Sequence, residues 1–318
     1  MSTLFAIGEA LIDFIPEDSG VGISEVSGFI PKVGGAPANV CGAFTKLGGH
    51  SALITQLGAD PFGDKIQKEL ADYGIDCSYI RRTDEANTSL AFVALKSNGN
   101  REFVFYRKPG ADMLYKSDYI EDSWFKDGFA LHFCSVSLGN FPMKEAHKKA
   151  IEAARKNGLI ISFDPNLRKN LWSSEEDLRN AVLEFIPMAD ILKISDEELD
   201  FITGTTEIEQ ALAKLFTGNV KLVIYTAGAN GAMAFTRAAK ASAPCEKVKA
   251  IDTTGAGDAF IGSFLYSLCE QKITASTIWN MSDDQLEKML AFSNRYCGIS
   301  VQKKGAIASY PTIAELTE

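Results

Sequence analysis

The sequence contains the stretch Asp252-Thr253-Thr254-Gly255-Ala256-Gly257-Asp258-Ala259-Phe260, which joins a predicted strand at 248–251 to an apolar predicted helix that runs to about residue 269. Two glycines at a helix start allow backbone N–H groups to converge on one point, and the first helical turn leaves donors without intrahelical acceptors. With the helix dipole, these donors favour an anion such as a phosphate group. Asp258 lies beside this predicted anion hole, where its carboxylate can accept a proton from an attacking hydroxyl.

Apolar runs of strand length alternate with longer helical segments along most of the chain. The predicted strands lie at residues 4–8, 52–57, 130–136, 159–164, 191–194 and 221–226. The predicted helices lie at residues 37–47, 61–73, 142–156 and 175–186. Asp60 before Pro61 is a helix-start signal. This alternation predicts an α/β fold with a central, mostly parallel, doubly wound sheet flanked by helices.

Two segments, residues 14–31 and 88–108, instead alternate apolar and polar residues at period two. In the second segment, Ser97-Asn98-Gly99-Asn100 separates two strand-like runs and predicts a hairpin. We expect both segments to form a small antiparallel β-sheet that projects from the α/β body as a lid. Since no low-complexity linker interrupts the chain, residues 1–318 are expected to form a single domain that includes this lid.

The composition indicates a folded protein, with 318 residues of which 46% are hydrophobic and 23% are charged. A net charge of −9 argues against nucleic acid as a partner. No apolar run approaches the roughly 20 residues of a membrane span, so no membrane partner is expected, and residues 4–8 are predicted to be a first strand rather than a signal peptide. The six cysteines show no CxxC spacing, which predicts a reducing compartment, the cytoplasm.

Several functional classes are disfavoured by motifs that the sequence lacks. GxxxxGK[ST] does not occur, which argues against a P-loop nucleotide hydrolase. GxGxxG does not follow the first strand, which argues against a nicotinamide dehydrogenase. The three histidines form no metal-ligand spacing, so zinc chemistry and a Ser-His-Asp triad are not expected.

A second glycine-containing stretch, Gly34-Gly35-Ala36-Pro37-Ala38-Asn39-Val40, precedes the predicted helix at 37–47. Its glycines allow the backbone to approach a ligand closely. Asn39, in the first helical turn, can offer both a hydrogen-bond donor and an acceptor. These features favour a small polar ligand at this turn.

Together the two stretches resemble the signatures of the ribokinase-like (PfkB) carbohydrate kinase family, and the resemblance covers essentially the whole chain. Within the family the sequence is most similar to bacterial fructokinases. The strings that carry this similarity are Gly8-Glu9-Ala10-Leu11-Ile12-Asp13-Phe14, Phe163-Asp164-Pro165-Asn166-Leu167-Arg168 and Lys193-Ile194-Ser195-Asp196-Glu197-Glu198-Leu199. The resemblance implies an ATP-dependent sugar kinase that phosphorylates the C6 hydroxyl of D-fructose. Alternatives are kinases of aminoimidazole riboside, ribose or 2-keto-3-deoxygluconate, and a catalytically silent sugar-binding member.

The resemblance also assigns roles to residues. Asp258 matches the catalytic base, and the anion hole is formed by Gly255, Ala256 and Gly257. The positions that match sugar-binding residues are Asp13, Gly34, Gly35 and Asn39. Arg168 follows a predicted strand end, where open α/β sheets bind ligands. An arginine there can contact either phosphate or a sugar hydroxyl, and both roles stay open.

Nucleotide and metal positions follow from the same resemblance. The expected nucleotide-binding residues are Lys193, Thr226, Gly228, Gly231 and Asn294. Glu198 matches the glutamate of an Asn-x-x-Glu pattern that places Mg²⁺ through water, and Ser195 stands where asparagine is usual. A K⁺ beside the anion hole would be held by Asp252, Thr254 and Ser309, with backbone carbonyls from Ser300, Lys303 and Gly305.

The lid carries apolar side chains that should not stay widely exposed, including Phe92, Phe103 and Phe105. In related kinases two such lids often pack together, so we expect a homodimer formed through the lid. The lid is also expected to close over the sugar and exclude water.

Overall fold

The computed structural model describes residues 2–18, 20–95 and 101–317. The strands are β1 (Thr3–Ile7), β2 (Leu11–Pro16), β3 (Phe29–Gly34), β4 (His50–Gly58), β5 (Ile80–Thr83), β6 (Leu90–Leu95), β7 (Arg101–Tyr106), β8 (Gly128–Cys134), β9 (Ile160–Asp164), β10 (Ile191–Ser195), β11 (Leu222–Thr226), β12 (Ala232–Phe235) and β13 (Lys240–Ala243). The α-helices are α1 (Ala36–Lys46), α2 (Pro61–Asp72), α3 (Pro142–Lys156), α4 (Glu175–Phe185), α5 (Asp196–Thr203), α6 (Ile208–Leu215), α7 (Ala256–Glu270), α8 (Asp283–Ser300) and α9 (Ile313–Thr317). The strands and helices predicted from the α/β alternation are all present, with ends displaced by at most two residues.

The large sheet has the strand order β13-β12-β11-β10-β9-β8-β1-β4-β5. Every neighbouring pair from β5 through β11 is parallel, and β12 and β13 add an antiparallel edge. The chain builds outward from β1 in both directions, so the order reverses between β1 and β8. Open α/β sheets bind ligands at the carboxyl ends of strands beside such a reversal. The predicted mostly parallel, doubly wound sheet is confirmed.

Both faces of the large sheet are covered, which explains its near-continuous apolar strands. On one face, Phe133 of β8 stacks on Phe163 of β9 at a centroid distance of 4.6 Å, in the same cluster as residues of α3 and α4. On the other face, Ala130 and Ile160 of the same strands join a cluster with Phe264 of α7. Among the described residues, no helix combines the length and apolarity that a membrane crossing requires.

The small sheet has the strand order β3-β2-β6-β7. The pairs β2–β3 and β6–β7 are antiparallel, but the central pair β2–β6 is parallel, so the expectation of a wholly antiparallel lid is corrected. The physical reason is that β2 follows β1 and β6 follows β5, two strands that run the same way in the large sheet. The sheet also extends beyond the predicted segment at 14–31, from Leu11 to Gly34. The predicted turn Ser97-Asn98-Gly99-Asn100 lies outside the described residues.

Residues 248–251 do not form a strand, and that prediction was wrong. Their apolar side chains face solvent rather than a sheet, since Val248 is 39% exposed and Ile251 is 59% exposed. The N–H groups of Ile251 and Asp252 both donate to the carbonyl of Val301, at 2.7 and 3.1 Å. The segment is therefore held by the end of α8, and no neighbouring strand pairs with it.

Candidate active site

The turn before α7 has a shape that requires glycine at Gly255. This residue has φ of +73°, and a Cβ there would lie 2.5 Å from Tyr310 Oη. Instead, the Tyr310 hydroxyl donates to the Gly255 carbonyl at 2.8 Å and holds the turn. Among the described residues, the N–H groups of Gly257 and Asp258 bond to no protein acceptor. Two donors at a helix start are therefore available to an anion. They differ from the expected set of Gly255, Ala256 and Gly257, because the Ala256 N–H donates to the Thr253 carbonyl at 3.2 Å.

Asp258 and Asn39 bring the two glycine-containing stretches together. Asn39 Nδ2 donates to Asp258 Oδ2 at 2.8 Å, and both side chains are buried. Asn39 Oδ1 is buried without a hydrogen-bond partner among the described residues. Burial raises the pKa of Asp258, whereas the Asn39 hydrogen bond and the charges of Arg168 and Lys193 lower it. The pair thus presents a carboxylate base and a spare amide acceptor to the same space.

Asp13, on β2, lies over a glycine of the neighbouring strand. A Cβ on Gly34 would stand 2.1 Å from Asp13 Oδ2, so only glycine leaves room for the carboxylate. Burial raises the pKa of Asp13 to about 6, with Arg168 opposing the shift and Asp258 adding to it. The structure therefore places Asp13, Arg168 and Asp258 within electrostatic reach of one another.

Gly35 completes this turn with φ of +111°, and a Cβ there would lie 2.5 Å from the Glu9 carbonyl. The N–H of Ala36 donates to Glu9 Oε1 at 3.2 Å. Burial raises the pKa of Glu9 to about 7, and the charge of Arg107 opposes that shift. Sequence reasoning assigned no role to Glu9, although it lies in one of the strings that carry the family resemblance.

Arg168 lies in the loop after β9 and its side chain is exposed. One of its donors, Nη1, bonds to the carbonyl of Leu167 at 3.0 Å. The preceding Asn166 has φ of +44°, which turns the chain sharply after the strand. The guanidinium carries five N–H donors, so this single contact leaves capacity for a ligand.

Lys193, in the middle of β10, forms a buried ion pair with Asp164, the last residue of β9, with Nζ 3.0 Å from Oδ2. A Cβ on Gly257 would lie 3.3 Å from Lys193 Nζ, so the ammonium stands beside the anion hole. Burial raises the pKa of Asp164, and the Lys193 ammonium opposes that shift. Burial lowers the pKa of Lys193, but the carboxylates of Asp164, Glu198 and Asp258 together hold it above its usual value. Sequence reasoning missed Asp164, although its place at a strand end was the available signal.

Glu198 holds two backbone segments together at the start of α5. Its Oε1 accepts the N–H of Leu167 and its Oε2 accepts the N–H of Ser195, both at 2.9 Å. Because Glu198 contacts the backbone of Ser195, serine in place of asparagine leaves this contact unchanged. In the described part of the chain, no group of three or more His, Cys, Asp or Glu side chains is arranged to hold a metal. A single carboxylate fits a contact with Mg²⁺ through water.

Thr226 is the last residue of β11, and the turn that leads from it to β12 contains Gly228 and Gly231. Gly228 has φ of +50° and Gly231 has φ of +93°, and a Cβ on Gly231 would lie 2.2 Å from the Ala243 carbonyl. Asn294 Nδ2 donates to that same carbonyl at 2.8 Å. Asn294 therefore ties α8 to the end of β13 beside the turn, with its amide donor already engaged.

Asp252 organises the loop predicted to hold K⁺. Its Oδ1 accepts the backbone N–H and the hydroxyl of Thr254, at 2.9 and 2.7 Å, and its Oδ2 accepts the N–H of Gly305 at 2.9 Å. The other predicted residues contact their own neighbours, through Ser300 Oγ to the Cys297 carbonyl, Lys303 Nζ to Glu315 and Ser309 Oγ to the Ala306 carbonyl. The structure thus brings Asp252, Thr254 and Gly305 into direct contact.

Comparison with known proteins places this site in a family. Residues 1–313 match the family described as pfkB family carbohydrate kinase. The chain belongs to the pfkB family of carbohydrate kinases. This pfkB chain is 41% identical over 311 residues to probable fructokinase-2 of Arabidopsis thaliana, covering 98% of this chain and 93% of the relative.

Solved structures give the same result for the fold of this pfkB chain. Fructokinase with bound ATP from Xylella fastidiosa superposes with a TM-score of 0.91 at 33% identity, covering 99% of this chain and 97% of that one. Fructokinase from Vibrio cholerae O395, in its fructose-, ADP- and calcium-bound form, superposes with a TM-score of 0.86 at 36% identity, covering 100% and 98%. The expected ribokinase-like α/β fold is confirmed.

Proposed function

We propose that this chain is a fructokinase, which transfers the γ-phosphoryl group of ATP to the C6 hydroxyl of D-fructose. The observation that carries the proposal is the contact between Asn39 and Asp258, which joins a sugar-binding turn to a base at a helix start. The unpartnered Asn39 Oδ1 can accept a sugar hydroxyl, and a buried acceptor without a partner is costly unless a ligand satisfies it.

Asp258 accepts the proton of the C6 hydroxyl as its oxygen forms a bond to the γ-phosphorus. The bond between that phosphorus and the β–γ bridging oxygen breaks, and ADP leaves with the bonding electron pair. The N–H groups of Gly257 and Asp258 stabilise charge on the transferred group, and the Lys193 ammonium adds a fixed positive charge beside them. Asp13 and Asn39 orient the sugar. Holding the C6 hydroxyl next to the γ-phosphorus lets the transfer proceed like an intramolecular reaction, which lowers its barrier.

ATP is the co-substrate, and Mg²⁺ supplies charge neutralisation to its phosphates when bound. Glu198 would place that ion through water, and the turn at Thr226, Gly228 and Gly231 would line the nucleotide. A K⁺ beside the anion hole would be supported by the Asp252 carboxylate, which already orders Thr254 and Gly305. That loop would act on catalysis only through the shape of the anion hole.

The choice of fructose rests on relatives that are about 40% identical over nearly the whole chain and are named fructokinases. A screen of ADP release with Mg²⁺-ATP tests it, using fructose, ribose, 2-keto-3-deoxygluconate and aminoimidazole riboside, with and without K⁺. We expect fructose to give the highest kcat/KM and phosphorus NMR to place the phosphate on C6. Strong turnover of another sugar without turnover of fructose would overturn the assignment.

We further propose that the protein forms a homodimer through the small sheet, which acts as a lid. We also propose that the protein is located in the cytoplasm. Among the residues of this sheet whose burial the structure describes, four large apolar side chains are exposed, namely Ile30 (45%), Phe103 (37%), Val104 (39%) and Tyr106 (65%). Ile30 and Phe103 lie on one face of the sheet, and Val104 and Tyr106 lie on the other. Exposed apolar side chains on a small sheet favour contact with a second subunit. The six cysteines are unpaired thiols, which suits a reducing compartment. Sedimentation that shows only the 34.5 kDa monomer at micromolar concentration would contradict the dimer.

A further inference from the structure

A buried cluster of charged and hydroxyl side chains lies where the small sheet meets the large one. Arg107 directly follows β7, and its side chain is buried. Its Nε lies 3.0 Å from Asp112 Oδ2, and its Nη2 contacts the same oxygen. Asp112 is fully buried, so this ion pair is shielded from solvent. The mechanism described above uses neither residue.

The same carboxylate also holds the other strand of the hairpin. Ser89 directly precedes β6, and its hydroxyl donates to Asp112 Oδ1. Ser89 is 1% exposed. Since β6 and β7 pair along their length, Asp112 holds the start of one strand and the end of the other. The base of the hairpin is therefore tied to a single buried group.

A second set of contacts leads from Arg107 to the glycine turn of the proposed sugar site. Arg107 Nη2 donates to Ser137 Oγ at 3.2 Å, and the Ser137 hydroxyl donates to Glu9 Oε2 at 3.2 Å. Glu9 Oε1 accepts the N–H of Ala36 at 3.2 Å, at the start of the helix that carries Asn39. Ser137 and Glu9 follow β8 and β1, the two strands between which the sheet order reverses.

Burying these charges is costly, because a buried ionic group must be fully paired to be tolerated. Here each polar group has a partner, so the cluster can act as a single hydrogen-bonded unit. Its two ends are the hairpin base and the turn that holds Gly34 and Gly35. A purely apolar junction could fill the same space, but it would not fix the position of the hairpin base relative to that turn.

We propose that Ser89, Asp112, Arg107, Ser137 and Glu9 form a coupling chain, in which Arg107 is a positioning residue that links the lid hairpin to the sugar-binding turn. Ordering of the turn by a sugar then favours the closed hairpin, and an ordered hairpin favours sugar binding. The assignment of the ligand as a sugar rests on the proposed function. The mechanical link between the hairpin and the turn stands apart from it.

Ser137→Ala tests the link, because it removes one hydroxyl from the middle of the coupling chain and touches no strand of the small sheet. Hydrogen exchange of the unliganded protein is the first measurement. We expect the amides of β6 and β7 to exchange at least about fivefold faster, since local opening there loses one anchor. Ser51→Ala is the matched control, because Ser51 is equally buried and donates to the Cys41 carbonyl, outside the coupling chain. This control should leave the lid amides unchanged.

Steady-state kinetics with Mg²⁺-ATP and fructose supply the second measurement. We expect Ser137→Ala to raise the KM for fructose about tenfold and to leave the KM for ATP within about twofold of the wild-type value. The reason is that the coupling chain ends at the sugar-binding turn. ATP hydrolysis per sugar phosphate formed should rise, since a loosely held lid admits water. The double variant with Ser89→Ala and Ser137→Ala should raise the KM for fructose by less than the product of the two single-variant increases. That result is expected when both hydroxyls belong to one hydrogen-bonded unit.

If Ser137→Ala fails to fold, Glu9→Gln keeps the size of the side chain and its acceptor for Ala36 but turns a donor toward Ser137. Faster lid exchange in a protein that phosphorylates no sugar would support the coupling chain and overturn the proposed function. Unchanged lid exchange in both Ser137→Ala and Glu9→Gln would overturn the coupling chain, whatever the sugar specificity.

Discussion

Asn39 Nδ2 lies 2.8 Å from Asp258 Oδ2, although the two residues are 219 positions apart in the sequence. This contact joins the first turn of α1 to the first turn of α7. It orients the carboxylate proposed as the base, and it lowers a pKa that burial raises. The two stretches that carry the chemistry therefore act as one site only because these helices pack together.

Asp258→Asn should lower kcat by about 10²–10⁴-fold, because the variant loses the group that accepts the hydroxyl proton. The fold should survive, since a neutral amide is easier to bury than a carboxylate with a raised pKa. Steady-state kinetics and thermal unfolding measure the two effects. Turnover at the wild-type rate in a folded variant would refute the base assignment.

Asn39→Ala should move the acid limb of the kcat/KM profile for fructose to higher pH. The hydrogen bond from Asn39 lowers the pKa of Asp258, so its loss raises that pKa and leaves less of the base ionised at a given acidic pH. At the pH optimum, loss of a hydrogen bond to a charged group should cost about 10–100-fold in kcat/KM. A pH profile from 5 to 9 checks both effects, and an unmoved acid limb would contradict the assignment.

Arg168→Gln should also move the acid limb to higher pH, because Arg168 lowers the pKa of both Asp13 and Asp258. Lys169→Gln is the matched control, since Lys169 is an exposed neighbour that pairs with Glu175. The control should leave the profile unchanged. Arg168→Gln also separates the two roles that are open for Arg168. A rise in the KM for fructose indicates contact with the sugar, and a fall in kcat indicates contact with the phosphate. An acid limb that moves equally in both variants would argue against a specific charge effect.

Gly34→Ala should lower kcat/KM for fructose by about 10²-fold, since the added Cβ forces the Asp13 carboxylate from its position. Gly298→Ala is the matched control, because a Cβ there meets only Val248 Cγ1, at 3.9 Å. That helical substitution should be neutral for activity and should stabilise the protein by about 0.5–1 kcal/mol. Equal activity in the two variants would show that Asp13 does not need its present position.

Lys193→Met should lower the free energy of unfolding by about 3–5 kcal/mol, because it leaves Asp164 unpaired in a buried site. The loss should depend on pH. Without Lys193 the pKa of Asp164 in the folded protein rises further. A carboxyl with a raised pKa in the folded state makes the protein less stable as the pH increases through that pKa. Urea unfolding at pH 5 and pH 8 should show the larger loss at pH 8, and adding Asp164→Asn should recover part of it. A loss independent of pH would argue against the ion pair.

Local rules were sufficient for much of the fold. Asp60 accepts from the N–H groups of Phe62 and Gly63, so the predicted start of α2 has its physical cause in the chain itself. The same local logic failed at 248–251, where an apolar run was predicted to be a strand. Ile251 is 59% exposed. An apolar run forms a strand only where a neighbouring strand is available for pairing, and none in the part of the chain that the structure describes pairs with this segment.

The sequence by itself determined the positions where geometry is local. Gly255 adopts φ of +73°, which few other residues tolerate, and Asp258 follows within one helical turn. Tertiary structure alone decided which distant groups meet, including Asn39 with Asp258 and Lys193 with Asp164. It also decided that the central pair of the small sheet is parallel. Backbone conformation depends on neighbouring residues, whereas these contacts depend on how whole strands and helices pack, and spacing along the chain carries no direct record of that packing.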